Sequence, residues 1–169
     1  ASVSSLHIAT GAPIAFVPGS SRPPGSRKPA AGDVDAAARA LPLLADGLAA
    51  MNEDDTERSV WFDERKVGDG ESDDGRFLVD LQRAVDVSRI QTFTWHHGAR
   101  SRQQYDVFAS AADAAPEAAA EDPATAGWTK VASVDSRSLG EGGQHGVAIA
   151  KEGGLGSFRH LLFVVQSGG

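Results

Sequence analysis

From Arg76 to Gln166 the chain is written in short runs whose apolar residues recur at alternate positions, with glycine-rich punctuation between them. A period of two marks a strand with one buried face, because successive side chains of an extended backbone point to opposite sides. In Arg76–Gln82, Phe77, Val79 and Leu81 share one face, and Leu78, Asp80 and Gln82 share the other. In Gln104–Ser110, Tyr105 and Val107 stand opposite Asp106 and Phe108. Val85–Trp95 is long, β-branched and aromatic, and Trp128–Val134, His145–Ala150 and Phe158–Gln166 complete the series. The stretches 68–75, 97–102, 140–143 and 153–156 between these runs are turn-prone, as antiparallel connections require. The pattern predicts an all-β fold, an antiparallel sandwich or barrel.

Upstream the signal is weaker. Ser2–Ile8 and Pro13–Val17 read as short strands, and residues 18–32 as an extended loop rich in proline and glycine. Asp33–Leu41 is a plausible helical piece, with Asp33 as its N-cap and Pro42 ending it. Ser59–Asp63 is a further candidate strand. Residues 111–127 are dominated by alanine, but Pro116, Pro123, Gly127 and the lack of an apolar stripe predict an exposed loop. With 169 residues and no second apolar cluster, residues 1–169 read as one domain with a long irregular N-terminal segment.

Charge narrows the partners. Residues 52–74 hold ten acidic against three basic side chains, which accounts for the whole net charge of −7. Phosphate backbones repel such a surface, so nucleic acid is not an expected partner. The longest apolar run, Leu161–Val165, is far below the roughly 20 residues of a membrane helix, so no span is expected. Without cysteine there is no disulfide, thiolate metal site or cysteine nucleophile.

Among residues that carry chemistry, the turn Trp95-His96-His97-Gly98-Ala99-Arg100 joins two predicted strands at one end of the fold. Aromatic rings stack on the apolar faces of sugars, and histidine and arginine donate hydrogen bonds to hydroxyls or acids. His96, His97 and Arg100 are therefore candidate ligand contacts, with Trp95 leaning towards the core. Trp61 and Phe62 alternate faces, so one is buried and the other, taken as Phe62, reaches a binding loop. Trp128, at the start of a strand, and Tyr105 read as core residues. Gln144-His145 and the glycine stretches 140–143 and 153–156 lack the spacing or partners of catalytic or phosphate-binding motifs. The acids crowd one loop and no Ser/His/Asp arrangement has local support, so no enzyme is expected.

Taken together, Leu44-Ala45-Asp46-Gly47, the acidic loop, Trp61-Phe62 and Arg76–Leu81 resemble the opening of a discoidin-like domain. Such domains are also called coagulation-factor type C or galactose-binding-like. Val87–Ile90, Tyr105–Ser110, Trp128–Val131 and Phe158–Val164 continue the likeness, which covers about residues 41–166. The resemblance implies a jelly roll of about eight strands whose end loops bind sugars, lipid headgroups or protein surfaces. It implies a carbohydrate-binding module of a secreted or cell-envelope bacterial protein, monomeric and part of a larger chain. The alternatives are a protein–protein or cell-surface adhesion module and an architectural domain. It also implies a structural Ca2+ site at the Asp46-Gly47 loop, with Asp54, Asp55 and Thr56 as companions, since calcium favours six to eight oxygen ligands.

Overall fold

The computed structural model describes residues 11–17, 41–45, 48–55, 65–67, 71–73 and 75–166. The expectations for Ser2–Ile8, the 18–32 loop, residues 33–40 of the helical piece and Ser59–Asp63 lie outside them. Leu41–Ala45 forms a short 3-10 helix. Nine strands occur among the described residues: β1 Ile14–Phe16, β2 Arg65–Val67, β3 Glu71–Asp73, β4 Gly75–Val87, β5 Arg89–Trp95, β6 Gln104–Ser110, β7 Thr129–Asp135, β8 Gln144–Ala150 and β9 Gly156–Val165. They form a five-stranded sheet in the order β1-β4-β9-β6-β7, a β5-β8 ribbon and a separate β2-β3 hairpin. Every pairing is antiparallel.

The alternating residues build the core as their period requires. Phe77, Val79 and Leu81 of β4, Tyr105, Val107 and Ala109 of β6, and Leu161 and Phe163 of β9 form one buried cluster. Ile90 of β5 and Ile149 of β8 pack against it, so the ribbon is the second layer of an antiparallel β-sandwich. Phe77 and Phe163 stack with ring centres 4.6 Å apart.

Two expectations change. Val85–Trp95 is not one strand: Val85–Val87 belongs to β4, and the chain leaves for the ribbon at Ser88. The register between β4 and β9 shifts between Asp80 and Val85, so the strand kinks and then pairs again with β9. Gln82 marks the kink with φ of 67°, and its N–H donates to Asp80 Oδ1 at 2.7 Å. The alanine-rich stretch 111–127 is also more than an exposed loop. It covers the outer face of the large sheet, where Phe108, Trp128, Leu162 and Val164 form a second buried cluster with Ala115, Ala118 and Ala126 against it. Alanine suits this position because small side chains let the backbone lie close to the rings. Trp128 Nε1 donates to the Glu117 carbonyl at 3.2 Å, and Arg76 Nη1 donates to those of Ala118 and Ala120 at 3.0 and 2.5 Å. The expected core roles of Trp128 and Tyr105 hold, both side chains being buried.

The β2-β3 hairpin lies in the acidic segment expected as a loop. The Gly68-Asp69-Gly70 string between its strands is the signal that marks it.

Candidate functional site

β5 ends at Trp95, and the chain turns through a 3-10 helix, Gly98–Ser101, into β6. What fixes this turn is Asp54, more than forty residues earlier. Its backbone is left-handed, with φ of 56°, a conformation aspartate tolerates better than most residues. Its N–H donates to the Trp95 carbonyl at 3.0 Å. Asp54 Oδ1 accepts from His96 Nδ1 at 3.0 Å and from the His97 backbone N–H at 3.3 Å. Asp54 Oδ2 accepts from Arg100 Nη2 at 2.7 Å. A carboxylate can only accept here, so the His96 ring carries a proton on Nδ1. Burial pushes the Asp54 carboxyl up, but the hydrogen bonds from His96 and His97 and the charges of Arg100 and His96 outweigh it and hold it below the usual range.

This arrangement divides the three expected contact residues. His96 does not project: its ring is buried, because the Asp54 carboxylate draws it inward. The His97 side chain is 79% exposed and that of Arg100 53%, so these two face solvent at the end of the sandwich. Trp95 is half-buried rather than core. The turn can thus offer imidazole and guanidinium donors to solvent. Phe62 lies outside the described residues.

Beneath the turn runs a buried polar chain. The Gly98 carbonyl accepts from Ser101 Oγ at 3.0 Å and from the Gly142 N–H at 2.9 Å. Ser101 Oγ lies 3.5 Å from His145 Nε2, and His145 Nδ1 lies 3.1 Å from Ser136 Oγ. Because the Ser101 hydroxyl proton is used on Gly98, His145 Nε2–H donates to Ser101 and Nδ1 accepts from Ser136. Ser136 Oγ also accepts from the Gln103 N–H at 2.7 Å, and Gln103 Nε2 donates to the His145 carbonyl at 2.8 Å. Ser101, Gln103, Ser136 and His145 are all buried, so these groups shape the turn from below and meet no ligand. No local pattern marks this network, or Asp54 as the brace, because the partners are far apart along the chain.

The expected calcium ligands fare unevenly. Asp46 and Thr56 lie outside the described residues. Asp54 fits a cation poorly, since three protein donors already occupy its oxygens and one is a guanidinium. Asp55 Oδ2 accepts from the Met51 N–H at 3.4 Å. Among the described residues no group of three His, Cys, Asp or Glu side chains converges on a metal position.

No protein-family model matches the chain, and no curated protein matches it in sequence. Its fold is similar to that of CpGH89CBM32-4, produced by Clostridium perfringens and solved in complex with GlcNAc-α-1,4-galactose, with a TM-score of 0.52 over 99% of this chain and 83% of that chain at 15% identity.

Proposed function

We propose that this domain is a non-catalytic carbohydrate-binding module of an extracytoplasmic protein, and that it holds its glycan at the Trp95–Arg100 turn. One observation carries the placement. The Asp54 carboxylate pins the turn through the His96 ring, the His97 backbone N–H and the Arg100 guanidinium, so the guanidinium is held in a fixed direction and the exposed His97 imidazole springs from a fixed backbone. Donors carried on a braced turn lose little backbone entropy when they meet a sugar. The shared fold with a domain solved with a disaccharide supports the reading.

Isothermal titration against a panel of plant, algal and animal glycans tests it. The expected result is weak binding, with Kd in about the micromolar to millimolar range, corresponding to about 4–8 kcal/mol. His97→Ala and Arg100→Ala each weaken it by about tenfold without unfolding the domain. Absence of binding across the panel overturns the reading.

The calcium proposal takes a narrower form, with Asp46, Asp55 and Thr56 as ligands and Asp54 left to the turn. Added calcium then raises the Tm of the wild type, and Asp46→Asn abolishes that shift. An unchanged Tm in calcium and in chelator removes the ion from the account.

A further inference from the structure

The outward face of the β5-β8 ribbon continues from the proposed site, and it has the layout of a sugar-stacking platform. Thr92 and Thr94 of β5 point inward: Thr92 Oγ1 meets Gln103 Oε1 and Tyr105 Oη, each at 2.5 Å, and Thr94 Oγ1 donates to the Ser101 carbonyl at 2.6 Å. By the period of two, Phe93 and Trp95 therefore point outward on one face. Phe93 is 41% exposed, a large ring that the sandwich core does not use. On the neighbouring strand Phe93 pairs with Gly146, and Gln91 with Ala148. Gly146 has no side chain to cover the Phe93 ring, and a Cβ built on it would meet nothing within 4 Å, while Trp95 pairs with Gln144. Neither β5 nor β8 contains an acidic residue, although the chain carries a net charge of −7.

We infer that the glycan ligand is a chain of at least three sugars, lying from the His97–Arg100 turn across Trp95 and Phe93 along the ribbon, rather than a single terminal sugar. This rests on the function proposed above. Residues two apart on a strand are about 6.7 Å apart, comparable with the length of one pyranose unit, so successive sugars meet successive rings. The polar end of the site then orients one end of the chain, and the rings add sequence-tolerant stacking along it. The absence of carboxylates from the ribbon leaves uronate-bearing chains unrepelled there.

Affinity electrophoresis in gels cast with galactan, arabinogalactan, xyloglucan, glucomannan, pectin or alginate tests the inference. It compares wild type, Phe93→Ala and Gly146→Gln. Both positions are exposed, and Gly146 has open space above it, so both variants are expected to fold; circular dichroism checks this. Fragments of one to six sugars, cut from whichever polysaccharide retards the wild type, then go into titration. The inference predicts an affinity that climbs at least tenfold between one and three sugars. It also predicts that both variants lose that gain while binding a single sugar as the wild type does. If the variants match the wild type at every length, the platform is wrong and the turn site stands. If no gel retards the wild type, the platform falls together with the proposed function. If sedimentation shows a wild-type dimer that Phe93→Ala dissolves, the face joins two copies of the chain and the inference is overturned.

Discussion

Asp54 shows how one side chain can decide a surface. Its two oxygens answer a buried imidazole, a backbone N–H and a guanidinium. Asp54→Asn keeps the shape but weakens all three bonds, and an amide nitrogen placed against a donor repels it. We expect a loss of about 1 kcal/mol in chemical denaturation, at the low end for charged hydrogen bonds because the site is partly exposed. The proposed glycan affinity should fall by about tenfold in titration. Asp80 permits a pH prediction. A hydrogen bond from Arg159 outweighs burial, which acts the other way, and with the Gln82 N–H and the nearby charges of Arg159 and His160 it holds the Asp80 carboxyl below the usual range. A lowered folded pKa stabilises fully above the unfolded value of about 4 and loses that contribution as pH falls through the folded value. A series of Tm measurements should therefore show that Asp80→Asn lowers Tm at neutral pH and flattens its fall in acid. Identical curves would remove Asp80 from the acid response.

At the scale of elements, the large sheet buries both faces, and its outer cover is a stretch without regular strands. Arg76, on β4, donates hydrogen bonds to carbonyls of that stretch, and Trp128 closes it against Phe108, Leu162 and Val164. Arg76→Ala should leave the sandwich folded but open residues 111–127 to limited proteolysis, with cleavage several-fold faster than in the wild type. Trp128→Ala removes the largest ring of that cluster and should cost about 3–5 kcal/mol in urea denaturation. A loss below about 1 kcal/mol would mean that the cover contributes little to the fold. The kink at Gln82 belongs to this scale too, for it lets β4 resume pairing with β9 before the chain crosses to the ribbon.

For the molecule as a whole, the two layers leave the turn end fixed from above by Asp54 and from below by the Ser101–His145–Ser136 chain. A ligand bound at the proposed site stabilises the folded state by mass action. At a glycan concentration a hundred times Kd the gain is about 2.7 kcal/mol, visible as a rise in Tm. A glycan that binds in titration yet leaves Tm unchanged would not be binding the native domain.

The run of alternating residues from Arg76 to Gln166 determined the strand content and most of the inner core, because a period of two leaves each apolar residue one face on which to lie. β6 is bounded as its pattern predicts, and Phe77, Val79, Leu81, Tyr105 and Val107 are buried together. The position of a turn bearing His97 and Arg100 was legible for the same reason. Which strands share a layer, where β4 ends, and that the alanine-rich stretch covers a sheet depended on partners distant in sequence, to which a local period is blind. So did the pairing of Asp54 with Arg100 and His96. It joined an aspartate expected to bind calcium to residues expected to meet a ligand, because a carboxylate at the end of a sandwich settles on the nearest donors that folding brings to it.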